Sequence, residues 1–159
     1  MDTPTDAIVG AEMIESEAGF QAMVIATIPG RPIAKGRPRM VTGGHPYTPE
    51  RTRDAEQSMA LIFKQACRRP LDGPLELLVG FSFRYPRSWP KAQRQAVEDG
   101  CEPWYTGKPD LDNLVKLVKD AGNGILWHDD AQVVSLDAHK IYGVEDETWI
   151  NLRALGTIS

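Results

Sequence analysis

Residues 108–134 read KPDLDNLVKLVKDAGNGILWHDDAQVV, and the two halves of that stretch decide how the rest of the chain is read. Leu111, Leu114, Val115 and Val118 recur at i, i+3, i+4 and i+7, the spacing of one buried stripe on a helix. Asp112, Lys116, Lys119 and Asp120 share the opposite face, with Asp112 and Lys116 one turn apart. Pro109 falls just before the helix and Asp110 at its N-cap position. Gly122, Asn123 and Gly124 supply residues that tolerate the left-handed conformation in which helices commonly end. Ile125, Leu126 and Trp127 lead back toward a sheet. That path is expected to deliver Asp129 and Asp130 near the helix start, gathering up to four carboxylates and a lysine.

Each acid has an ordinary explanation when taken alone. Asp110 can cap the helix and Asp112 can complement its dipole, each contributing about 1 kcal/mol or less. Asp129 and Asp130 can form a turn. Clustering changes the balance: two carboxylates roughly 5 Å apart repel by about 3 kcal/mol at an effective dielectric near 20, more than caps return. A divalent cation removes that penalty, and all-oxygen ligands favour Mg²⁺ or Mn²⁺. The residues alone thus point to a hard-metal site with a lysine beside it.

DLDNLxK at 110–116 followed by WxDDAQV at 127–133 resembles the two-part signature of the RusA-type Holliday-junction resolvases, small endonucleases common in phages and prophages. The stretch covers about a sixth of the chain, with both halves in order at a compatible separation. Carried over by motif, the resemblance implies a catalytic set of Asp110, Asp112, Asp130 and Lys116, the three aspartates holding Mg²⁺ (Mn²⁺ substituting). It also implies a homodimer, a branched-DNA substrate and a role in DNA recombination and repair inside a bacterial host. The family's arginine run before the DLD motif is absent here, where only Lys108 precedes Pro109.

The formal charge of −4 argues at first sight against a nucleic-acid partner, but its distribution is uneven. Residues 1–30 carry five acids and no Lys or Arg. Residues 31–70 carry nine basic residues against three acids, a balance that suits a polyanion. Within them, RPIAKGRPR at 31–39 has too many prolines for regular structure and reads as an extended phosphate-contacting arm. Arg51 and Arg53 then oppose the dipole at a helix start. Lys35, Arg37, Arg39, Arg51, Arg53, Lys108 and Lys119 are accordingly the expected DNA contacts. Cys67 and Cys101 show no CxxC spacing and fit reduced thiols of a cytoplasmic protein. No apolar run reaches membrane-spanning length.

With 159 residues, one domain is expected. Residues 1–20 read as an acidic flexible tail, with a short helix near 11–17, and 21–159 as the endonuclease domain. Within it, 21–28 reads as a strand stopped by Pro29 and Gly30. A helix follows Thr48 as cap and Pro49 as first residue, with Ala55, Met59, Ile62, Phe63 and Ala66 as its buried stripe. Residues 75–85 alternate strictly and form a half-buried strand. Residues 90–99 make a short helix, and the following loop offers Trp104 and Tyr105 either to unpaired bases or to the core. The segments 133–142 and 148–154 read as a terminal hairpin. The fold class is α+β, a mixed sheet with helices packed on one side.

Three rivals differ in chemistry or motif, and a fourth in substrate. A PD…(D/E)xK nuclease matches at Pro109 and Asp110, but 137–140 (DAHK) has one residue too many between acid and lysine. A DxD nucleotide-sugar transferase normally needs a larger nucleotide-binding domain and no basic arm. A non-catalytic DNA-binding phage protein would use the aspartates only as caps, and a nuclease for other branched DNA would differ in substrate alone.

Overall fold

The computed structural model describes residues 9–16, 19–36, 42–45 and 49–156. Strands β1 (Val9–Ser16) and β2 (Gly19–Pro29) precede helix α1 (Glu50–Ala66) and strand β3 (Leu75–Arg84). Helices α2 (Lys91–Glu98) and α3 (Leu111–Gly122) follow, then a 3-10 turn at Asp130–Gln132, β4 (Val133–Gly143) and β5 (Glu147–Ala154). The five strands form one mixed sheet in the order β1-β2-β5-β3-β4, with β3 and β4 the parallel pair. The expected α+β class is what forms. No helix among the described residues is long and apolar enough to cross a membrane.

Strand β3 explains the topology. Leu75, Leu77, Val79, Phe81 and Phe83 are all buried on one side of it. A strand this apolar leaves no edge for water, so its backbone groups need partners on both sides. β5 takes one edge antiparallel and β4 the other in parallel. The expected β4–β5 hairpin is therefore corrected: the chain between them passes over the end of β3. Ser82 Oγ donates to the Glu145 carbonyl at 2.8 Å and the Arg84 amide to Asp146 Oδ1 at 2.8 Å. Local alternation identifies strands but not their neighbours, which is why the short 144–146 connection suggested direct pairing. Gly143 is required there, because a Cβ would meet Ser82 Oγ.

A second correction concerns the N-terminus. Residues 9–16 form neither a flexible tail nor a helix; they pair antiparallel with β2 from Val9↔Ala26 to Ser16↔Gly19. β2 would otherwise present an unpaired edge of its own, and β1 covers it. A third is minor: α1 begins at Glu50 with Pro49 as its N-cap residue, and Thr48 lies outside the described residues.

Helices α1 and α3 cover the apolar face of the sheet. Met59, Phe63 and Ala66 of α1 and Leu114, Val115, Leu117, Val118 and Ala121 of α3 pack onto Val24, Ala26, Ile150, Leu152 and the β3 row. Leu126 and Trp127 close the end of this core, and a Cβ on Gly122 would come within 2.9 Å of the Trp127 ring. Gly122 is thus the last residue of α3, admitted for close packing, while Gly124 (φ 78°) supplies the left-handed turn. Each fully buried Leu or Phe stabilises by roughly 1.5–3 kcal/mol. Leu114→Ala is expected to lower unfolding free energy by about 2–5 kcal/mol, measurable by urea denaturation.

Candidate active site at the start of α3

The first turn of α3 holds Asp110 at the N-cap and Asp112 inside the helix. Asp110 has the extended backbone of a cap (φ −69°, ψ 142°), yet its side chain makes no capping hydrogen bond. Its carboxylate instead accepts from Lys108 Nζ at 2.6 Å. The local explanation for that acid, satisfying the helix's own N–H groups, is not the one realised. Asp112 and Lys116 are exposed, one turn apart on the face away from the buried stripe, as the spacing predicts.

The two adjacent aspartates at 129 and 130 separate cleanly. Asp129 accepts from the Ala131 amide at 2.8 Å, while the Gln132 side chain accepts from the His128 and Asp129 amides at 2.7 and 3.0 Å. That reciprocal arrangement is a capping box. Gln132 also donates to the carbonyls of Leu71 and Gly73, anchoring the turn to the entry of β3. Asp130 is half-buried, and its side chain has no partner among the described residues. The turn that carries it packs against α3.

Among the described residues, no three His, Cys, Asp or Glu side chains lie close enough together to hold a metal ion. The expected gathering of Asp110, Asp112, Asp129 and Asp130 at one point is thus not seen as a finished cage. Two of the four have other engagements: Asp129 caps and Asp110 pairs with Lys108.

The basic residues divide in three. Arg31, Arg51 and Lys108 line one groove of about 410 Å³ together with Pro109, the residue before Asp110. Arg53, two positions from Arg51 and so on another face of α1, lines a second groove with Lys35, Glu56 and Asp120. Lys119 is in the last turn of α3 and half-buried. Arg37 and Arg39 lie outside the described residues.

Lys35 sits differently from expectation. Its ammonium bridges Glu56 of α1 at 2.7 Å and Asp120 of α3 at 3.1 Å, while its backbone N–H donates to the Asn113 carbonyl at 2.9 Å. Burial works to lower its pKa, but the two carboxylates outweigh that and leave it raised above the usual lysine value. The positive charge at this position fastens the 31–36 segment across both helices.

Three residues beside the site were not among its expected members. Tyr105 stacks on Phe83 with ring centroids 3.9 Å apart, and its hydroxyl donates to the Lys108 carbonyl at 3.0 Å. Arg31 lies over Phe83 at 5.1 Å and donates to the Tyr105 hydroxyl at 3.3 Å. Lys140 of β4 reaches the backbone just before Asp110. Arg31 belongs to the basic arm and Tyr105 reads as a base-stacking or core aromatic; for Lys140 the signal was a cation on the core-facing side of a strand. Of the two loop aromatics, Tyr105 joins the core and Trp104 stays 71% exposed.

A family model for endodeoxyribonuclease RusA matches residues 29–153. The uncharacterised protein YqaN of Bacillus subtilis (strain 168) is 36% identical over 136 residues, covering 80% of this chain and 93% of that protein. The matched span runs from the end of β2 almost to the end of β5 and contains both halves of the aspartate signature. The chain therefore belongs to the RusA family of endodeoxyribonucleases, the Holliday-junction resolvases.

Proposed function

We propose that the protein is a Mg²⁺-dependent endodeoxyribonuclease that resolves four-way DNA junctions by paired nicks, working as a homodimer in recombination and repair in the cytoplasm of a bacterial host. We also read it as phage- or prophage-encoded. The observation that carries the reading is the start of α3. There the Asp110 carboxylate makes no capping hydrogen bond, Asp112 and Lys116 are exposed one turn apart, and the groove lined by Arg31, Arg51 and Lys108 also takes in Pro109, the residue before Asp110.

Asp110, Asp112 and Asp130 are the residues that would hold the cation, and their all-oxygen donor chemistry fits Mg²⁺ or Mn²⁺. When bound, the ion supplies positive charge to a phosphodiester oxygen and makes water a better nucleophile. Lys116, exposed one turn beyond Asp112, offsets negative charge that develops on the scissile phosphate. The groove arginines bind the backbone without reading sequence. Trp104, held at its backbone against Ile141 and exposed at its ring, stacks on a base left unpaired at the branch. Two copies of one site related by a dyad suit the two related nicks that resolve a junction.

The decisive experiment incubates labelled four-way, Y-shaped and linear DNA with the protein, with and without Mg²⁺. Paired nicks confined to four-way DNA and dependent on the ion are expected. Equal cutting of Y-shaped DNA would replace junction resolution with a broader branched-DNA activity, and no cutting of any substrate would remove the proposal. The groove has its own test: an Arg31→Ala, Arg51→Ala, Lys108→Ala triple variant should bind junctions more weakly, with a salt slope shallower by about 2–3. An unchanged slope would place the DNA elsewhere.

A further inference from the structure

Lys140 occupies an unusual place for a charged residue. It pairs with Phe81 in the β3–β4 register and so points to the side of the sheet that carries the core. It is half-buried, and among the described residues no carboxylate lies within ion-pair distance of it. Its ammonium donates to the Gly107 carbonyl at 2.7 Å and the Pro109 carbonyl at 2.9 Å. The Tyr105 ring lies 5.5 Å from the same nitrogen. Two carbonyl dipoles and an aromatic face thus hold a cation that no acid among the described residues neutralises.

Those carbonyls belong to the last residues before Asp110. The neighbouring backbone is tied to the same strand: the Tyr105 amide donates to the Lys140 carbonyl at 3.0 Å, and the Tyr142 amide to the Pro103 carbonyl at 2.8 Å. Lys140 is thus the side-chain member of a clasp between β4 and the 103–109 loop. A half-buried charge is costly unless its hydrogen bonds are satisfied, so the ammonium keeps both carbonyls oriented toward it. Because Asp110 follows Pro109 directly, fixing the Pro109 carbonyl limits where the Asp110 backbone can sit. Small displacements at such a position matter, since catalytic groups must be held within about 0.5 Å of productive geometry.

The geometry assigns Lys140 as a positioning residue for Asp110, one that sets the approach of the first aspartate to a divalent cation. This rests on the nuclease reading of Asp110 given above. It is distinct from a phosphate-contacting lysine, because both hydrogen bonds of the ammonium are directed into the protein.

The test compares wild type with Lys140→Met, which keeps the apolar stem but removes the donors, and Lys140→Arg, which keeps charge and donors. Mn²⁺ binding to the free protein is titrated by electron paramagnetic resonance, and junction binding is measured in Ca²⁺ at several salt concentrations. Lys140→Met should raise the half-saturating Mn²⁺ concentration by about 5- to 50-fold, comparable to losing a ligand-orienting contact. It should lower single-turnover cleavage similarly, with junction affinity and salt slope unchanged. Lys140→Arg should recover most of both losses. Wild-type Mn²⁺ binding by Lys140→Met would overturn the assignment, as would a loss of junction affinity with a shallower salt slope and normal Mn²⁺ binding. Melting temperatures identify a variant that fails to fold, and in that case the Arg variant's Mn²⁺ affinity decides: ordinary binding supports the role and a loss overturns it. If wild type binds Mn²⁺ in an Asp110-dependent way yet cuts no DNA, the nuclease reading fails while the positioning role is still decided by the titration.

Discussion

Asp112→Asn is expected to fold and bind four-way DNA like wild type but to cleave it at least about 100-fold more slowly. The side chain is exposed in the first turn of α3, so the substitution removes one negative charge and leaves the shape intact. Losing a favourable dipole interaction costs only about 0.3–1 kcal/mol of stability, a melting-temperature change of a few degrees at most. The expected result is therefore a wide separation between an activity that collapses and a fold that does not. Cleavage near the wild-type rate in a single-turnover assay would take Asp112 out of the site.

The adjacent pair at 129 and 130 gives the second large effect, and its sign differs between neighbours. Asp130→Asn is expected to lose about 100-fold or more in cleavage with little change in stability, since that side chain has no described partner in the fold. Asp129→Ala is expected to do the reverse. It removes the acceptor for the Ala131 amide and half of the capping box, costing about 0.5–2 kcal/mol, while folded molecules keep cleaving. Paired measurements of melting temperature and single-turnover rate on both variants check this. If Asp129→Ala abolished cleavage and Asp130→Asn did not, the motif-based assignment would shift by one residue.

The assignment to α3 was legible because a helix stripe is local information. Leu114, Val115 and Val118 repeat with the helical period whatever the rest of the chain does, and all three are buried as that period requires. The same holds for Met59 and Phe63 of α1 and for the alternating row of β3. The aspartate signature was legible for another reason: its residue types are rare together and closely spaced, and the family match then spanned the domain around them.

Pairing was not legible, because backbone hydrogen bonding is indifferent to side-chain identity. Nothing in 133–142 or 148–154 says that β3 will lie between them. That follows only when β3, buried along its whole length, needs partners on both edges. Strand β1 was missed on the same account, since it forms to cover an edge that exists only once β2 has joined the sheet. Lys35 shows the same limit for charge: a basic arm read residue by residue suggests phosphate, whereas α1 and α3 bring Glu56 and Asp120 to the same ammonium.

From the sequence alone came the three helices, the strands from β2 onward, the candidate acids and the family, because each depends on residue types at short spacing. The tertiary structure alone decided which strands are neighbours and which of the paired aspartates serves as a cap. It also decided which lysines are turned into the protein. These depend on distances between residues far apart in the chain, set by how the buried faces of β3, α1 and α3 pack together.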